Sequence, residues 1–365
     1  MSDETTTAAV LAMITPKDIT THEHAGSHPQ ELFRSLLRTG LAEALVRSSS
    51  AGSRWHFCSE IASICERWVG LGESLHLQTL VALTVARHGT PMHRDRYLDG
   101  ILSGEIIAAN CLNEHDAGSD LAAMRVKATR VSGGYRIDGC KQWIGHAPIA
   151  DVLLVYSRTS GSGLRGLTCL LADRDTPGVT VRDRPKTSGA ASLPCGDIEF
   201  DSVFVADDAV VGRPGRAMLA ADGLFTQGRI GAAACAVGLA RAALRRAVGF
   251  ARTHHQFGQP IMNFQGISFP LAEASTEVAA SESLLREACS AIEATRPDAE
   301  LRSAQAKLKA TSTAILATNA AVSTLGSHAY NDNEQVLRWA AEARLLDIIQ
   351  GTREMQKLAI GAQLR

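Results

Sequence analysis

The chain has 365 residues, 45% of them hydrophobic and 21% charged, with a formal net charge of −1. That length points to two or three packed units of ordinary globular composition. The balanced charge excludes polyelectrolyte attraction to nucleic acid or to anionic membranes. No window reaches the ~18 uninterrupted apolar residues of a membrane-spanning helix. The start, MSDETTTAAVLAMITPKD, is polar and acidic and lacks the basic and apolar regions of a secretory signal, so the chain reads as cytoplasmic. Eight cysteines, at 58, 65, 111, 140, 169, 195, 235 and 289, show neither a C-x-x-C pair nor zinc spacing. They read as reduced, mostly buried thiols.

Residues 1–107 read as a helical domain. Pro29–Thr39 places Leu32, Phe33, Leu36 and Leu37 at helical spacing, and His56–Val69 and Leu75–Arg87 are likewise apolar on one side. The run Arg47–Arg54 (RSSSAGSR) is a loop by composition. From 108 to 212 the period changes to alternation, with frequent turns. Gly133–Gly134 marks a hairpin, and Asp151–Ser157, Leu167–Leu171, Val179–Val181 and Gly196–Val205 are strand candidates. Short strands at such spacing predict a small barrel or sandwich. Residues 213–365 return to helix, at Ala232–Thr253, Gly266–Thr295, Ala299–Ser323 and Glu334–Ile349. Long helices joined by short connections predict a four-helix bundle. The fold class is therefore α+β, mostly helical, and a pocket where the sheet meets the helices is the default site.

Four segments carry chemistry. Cys111–Asp120 reads CLNEHDAGSD, and its Gly118–Ser119 pair offers free backbone amides to an anion such as a pyrophosphate. Gly139–Asp151 reads GCKQWIGHAPIAD, in which Trp143 could cover a flat ring. His254–Ile267 reads HHQFGQPIMNFQGI, and Leu345–Gln356 reads LLDIIQGTREMQ. Taken singly the first is a common turn and the second a core tryptophan.

In this order, inside a helix–strand–helix chain, the four segments resemble the acyl-CoA dehydrogenases. That family's motifs run T-E-P-x-A-G-S-D, G-x-K-x-W-I-T-N, R-x-Q-F-G-x-P and Y-E-G-T-S-E-I-Q. The resemblance extends from about Leu75 to the C-terminus, while the first ~70 residues match poorly. It implies FAD as cofactor, an acyl thioester on CoA or a carrier protein as substrate, and assembly as a homodimer or homotetramer. It assigns Cys111, Asn113, Gly118 and Ser119 to the flavin and thioester arm, and Trp143, Ile144 and Gly145 to the flavin face. It assigns His254, Gln256, Phe257, Gln265 and Ser323 to contacts with FAD that reach a neighbouring subunit or its adenine side. Gly351, Thr352 and Glu354 match the loop that meets FAD after the catalytic position.

The departures from the family cluster at the chemistry. Asn113 stands for a threonine, His115 for a proline, Gly145 for the threonine facing flavin N5, and His254 for an arginine. Removing an α-proton needs a carboxylate within reach. The family's glutamate before G-T is Gln350 here, and a minority's alternative seat on an earlier helix is Gly228. Three readings stay open. The copy is inactive and kept for assembly; His115, Asp116 or His146 serves as a relocated base; or the scaffold runs altered chemistry such as decarboxylation, ring closure or oxygenation, as in enzymes of specialised metabolism.

Overall fold

The computed structural model describes residues 6–48, 50–331 and 335–364. Six helices come first: α1 (Thr7–Met13), α2 (Pro16–Ala25), α3 (Gln30–Arg38), α4 (Leu41–Arg47), α5 (Ser53–Arg67) and α6 (Val69–His88). Two short ones follow, α7 (Pro91–His93) and α8 (Asp99–Ser103). A capping box starts α2, because Thr15 and Asp18 each satisfy the other's backbone N–H and Pro16 fills the first turn. The predicted loop at Arg47–Arg54 is shorter at both ends. Arg47 closes α4, and Gly52, at φ 90°, turns the chain into α5. Helix α6 is long and apolar enough to cross a membrane by length and composition, yet 89% of that window is buried inside the protein.

The middle of the chain forms one eight-stranded mixed sheet. Its strands are β1 (Ala108–Cys111), β2 (Lys127–Val131), β3 (Gly134–Gly145), β4 (Val152–Arg158), β5 (Leu167–Asp173), β6 (Val179–Asp183), β7 (Cys195–Ala206) and β8 (Val210–Val211). The hydrogen-bonded order is β6-β7-β3-β2-β4-β5-β8, with β1 parallel beside β4. The two halves meet through one residue pair, Lys127 with Arg158, so the barrel expected from strand spacing is an open one with β6 and β8 at its ends. Gly133, at φ 77°, makes the predicted hairpin between β2 and β3.

The last third contains α9 (Ala217–Thr253), the two-residue strands β9 (His255–Gln256) and β10 (Gln259–Pro260), then α10 (Gln265–Glu293), α11 (Ala299–Leu325), α12 (Val336–Ile348) and α13 (Arg353–Ala362). The expected helix start at Glu334 lies outside the described residues. Helix α9 begins well before the predicted Ala232, because Gly223, Gly228 and Gly231 lower local propensity while tertiary packing holds the helix. Five of its alanines, Ala233, Ala236, Ala240, Ala243 and Ala247, are fully buried. Small side chains let α11, α10 and α5 approach α9 closely. The thiols of Cys58, Cys65, Cys111, Cys169, Cys235 and Cys289 are buried, and the eight cysteines are free.

Candidate active site

On the sheet side, a buried ion pair pins the loop after β1. Lys141, with no exposed surface, donates its Nζ to Glu114 Oε1 at 2.8 Å and to the Leu112 carbonyl at 3.0 Å. Glu114 in turn accepts the N–H groups of Arg125 and Val126. Glu114 and Ala117 exchange backbone hydrogen bonds, which turns the chain at His115 and Asp116 and leaves Gly118 and Ser119 exposed. Asn113 is also exposed. The Cys111 side chain does not reach this surface. It lies in the sheet core, where burial pushes its thiol up to about 12, so only its backbone is left for a ligand.

The strand β3 carries the tryptophan. Pairing with β7 jumps between Lys141 and Ile144, a bulge that inserts one extra residue. Trp143 sits in it at φ 57° and turns its ring outward, 54% exposed. Asp197 accepts the Trp143 N–H at 3.1 Å and the Arg184 Nε–H at 2.6 Å, and that guanidinium lies 4.0 Å over the indole. Ile144 is buried behind it.

Helix α6 joins the sheet to the helices. A Cβ on Gly145 would meet Leu77 of α6 at 2.8 Å. His146 follows at φ 67° with no exposed surface. Its Nδ1–H donates to the Ala108 carbonyl at 3.1 Å, so its Nε2 accepts from the Ser74 hydroxyl, which accepts from His28 Nε2–H at 2.8 Å. Burial pulls the His146 ring down to about 4. Both ring nitrogens are engaged, so the relocated-base reading of His146 gives way to a structural one. His115 is 80% exposed and paired with Asp116, which Arg125 also holds at 3.2 Å.

The other face of α6 meets α9 beside the Gln350 loop. Gln350 (φ 54°) and Gly351 (φ 87°) are both left-handed. Lys307, buried on α11, fixes this turn by donating to the Asp347 and Gly351 carbonyls, each at 2.8 Å. Burial lowers its ammonium to about 8, with Asp347 opposing the shift. Gln356 Nε2 adds a bond to the Gly351 carbonyl at 2.8 Å. Thr352 caps α13, and Glu354 is exposed in its first turn. A Cβ on Gly228 would stand 2.5 Å from Gln350 Oε1. The two seats named from sequence therefore face each other, one holding an amide and the other no side chain.

The remaining predicted residues lie elsewhere. His254 ends α9, stacks on Phe250 at 4.7 Å and sits edge-on to His328 at 5.5 Å. Two left-handed residues, Phe257 and Gly258, turn the β9–β10 hairpin, with Phe257 92% exposed at its tip and Gln256 beside it. Gln265 and Ser323 are exposed near the adjoining helix ends. From Gly228 to Thr253 the helix runs roughly 38 Å at about 1.5 Å per residue. One chain thus gathers Gly145, Gly228 and Gln350 around α6 but leaves His254, Gln256 and Phe257 far along α9. Sequence reading passed over Glu114, Asp197, Lys307, Glu73 and His76. Their one signal was polarity inside apolar or alanine-rich runs, since their partners are distant in sequence, except that Glu73 and His76 pair with each other on α6.

A helical front, an open sheet and a bundle of long helices, with a glycine-notched helix facing a left-handed loop where they meet, define the class. Residues 109–203 match the acyl-CoA dehydrogenase middle domain and residues 217–365 the acyl-CoA dehydrogenase C-terminal domain. The chain is 33% identical to benzylmalonyl-CoA dehydrogenase of Aromatoleum aromaticum, across 94% of this chain and 91% of that protein. The structure of butyryl-CoA dehydrogenase from Megasphaera elsdenii superposes with a TM-score of 0.91 at 26% identity, covering 100% of this chain and 99% of that one. PigA, solved with FAD and proline, shares the fold with a TM-score of 0.92 at 24% identity, covering 100% and 98%. The chain belongs to the acyl-CoA dehydrogenase family. The likeness in fold includes the first ~70 residues, where sequence motifs match poorly.

Proposed function

We propose that the chain is a cytoplasmic, homo-oligomeric FAD enzyme of specialised metabolism that oxidises an acyl group held as a thioester on CoA or a carrier protein, with Gln350 binding substrate rather than taking its proton. The observation carrying this reading is the contact between Gln350 and Gly228. Both carboxylate seats open on one spot, and neither supplies a group that can accept a proton at pH 7.

The residues present fit the cofactor. Trp143 offers an outward aromatic face, and beyond its immediate chain neighbours nothing lies within 4 Å of the place a Gly118 Cβ would take. When bound, FAD supplies acceptance of two electrons from the acyl group. Trp143 would cover one ring face, and the Gly118 and Ser119 amides would meet the pyrophosphate. Asn113, Gly351, Thr352 and Glu354 would border the ring and the loop beside it. The Gln350 amide can donate to a substrate carbonyl and accept from a hydroxyl or amine. His254, Gln256 and Phe257, remote along α9, serve the cofactor of a second copy, which is why the oligomer belongs to the reading.

The test is direct. The purified protein should carry FAD, and an activated thioester should bleach its flavin band under anaerobic conditions. A folded protein that neither retains nor takes up FAD refutes the proposal.

A further inference from the structure

Helix α6 is apolar along nearly its whole length, yet it buries Glu73 (1% exposed) and His76 (0%). The His76 Nδ1–H donates to Glu73 Oε2 at 3.2 Å, and the Cys235 thiol donates to the same oxygen at 3.3 Å. Glu73 Oε1 and His76 Nε2 are left buried without a hydrogen-bond partner. An ionised carboxylate only accepts, and an imidazole with its hydrogen on Nδ1 presents a lone pair at Nε2. Both orphans therefore call for a hydrogen. Lys307 Nζ bonds the Asp347 and Gly351 carbonyls, two of its three donors, and reaches neither orphan. Unpaired buried acceptors are uncommon in folded proteins, and each calls for an explanation such as a water, an ion or a ligand group.

The pair lies beside the reaction centre. A Cβ on Gly231 would stand 2.0 Å from His76 Nε2, as one on Gly228 would stand 2.5 Å from Gln350 Oε1. These glycines are three residues apart on α9, so their Cβ positions fall roughly 5–6 Å apart on one face. Adding the two contact distances puts His76 Nε2 within about 10 Å of the Gln350 amide. We propose that Glu73 and His76 select an acyl group bearing a hydrogen-bond donor, an amine in the first instance. This rests on the acyl-thioester reading above. A hydrocarbon acyl group would leave the acceptors unpaired, and a carboxylate would bring further acceptors rather than a donor; sites built to hydrogen-bond discriminate strongly against analogues lacking the group.

The experiment measures binding of β-alanyl-CoA, butyryl-CoA and glutaryl-CoA to the purified holoenzyme by calorimetry, with the matching pantetheine thioesters in parallel. β-Alanyl and butyryl esters differ by an ammonium in place of a methyl. The expected result is that the β-alanyl ester binds about tenfold or more tightly than either other ester, and that Glu73→Gln and His76→Asn each bring the β-alanyl to butyryl ratio to within about twofold. The wild-type ratio stands without the variants, should either fold poorly. Butyryl or glutaryl esters binding as tightly as β-alanyl would overturn the proposal and leave the thioester reading intact, as when an ordered water satisfies both acceptors. A preference that survives Glu73→Gln and His76→Asn would overturn the assignment to these residues, and no binding of any ester would overturn both readings together.

Discussion

Gln350→Glu places a carboxylate where an amide stands, at nearly the same volume. The side chain at 350 lies against the bare backbone of Gly228, so the exchange displaces nothing. Two effects set the new group's ionisation. Partial burial raises its pKa, while the Lys307 ammonium, bonded to the next carbonyl at 2.8 Å, lowers it. A general base contributes about 100- to 10,000-fold. One held down by a cation falls at the low end, about 100-fold, or about 2.7 kcal/mol of barrier. Stopped-flow reduction of bound flavin by butyryl-CoA, without oxygen, should therefore accelerate about 100-fold in the variant. The native reaction should move the other way, because glutamate lacks the amide's donor and adds negative charge beside the flavin. Wild-type protein that reduces its flavin with butyryl-CoA as fast as Gln350→Glu would refute the reasoning, since the proton must then have another acceptor.

Trp143→Ala removes a half-exposed ring, and aromatic contacts contribute about 0.5–1.5 kcal/mol. Free-flavin fluorescence should report FAD binding weakened about threefold to tenfold, and unchanged affinity would place the flavin away from this bulge. Phe257→Ser alters a side chain 92% exposed at a hairpin tip; light scattering at micromolar concentration should give an oligomer for wild type and a smaller species, poorer in FAD, for the variant. A monomeric wild type contradicts the assembly. Burial lifts the Glu342 carboxyl to about 7, against the pull of Arg338. Its contribution to stability is full below the unfolded value of 4.5 and is lost as pH rises through about 7. Glu342→Gln should therefore raise Tm at pH 8, by up to about 3 kcal/mol of stability, and leave it nearly unchanged at pH 4.5; equal shifts at both would count against the assignment.

The order of helices, strands and helices was legible because side-chain periodicity changes near Ala108 and again near Gly212. Strand ends matched within a residue or two where turn residues marked them, as at Gly133. The start of α9 was hidden, since Gly223, Gly228 and Gly231 argue locally against helix and only packing overrules them. Trp143 was visible as a candidate, but its outward aim depends on Asp197, far along the chain on another strand. His146 looked as free as His115 in sequence. Its enclosure by Ser74 and Ala108 is a tertiary fact. Lys307, Glu73 and His76 gave no motif: Lys307 is a single polar residue whose partners lie beyond its own helix, and Glu73 and His76, paired with each other on α6, meet Cys235 from α9.

The contact between Gly228 and Gln350 makes their side chains alternative occupants of one volume. A glutamate at 228 would set its first carbon 2.5 Å from the amide oxygen at 350, so in Gly228→Glu alone the Gln350 side chain must swing aside. Paired with Gln350→Gly, the same glutamate finds room. The two changes are then coupled rather than additive, and the helix seat offers its chemistry fully only when both positions are altered together.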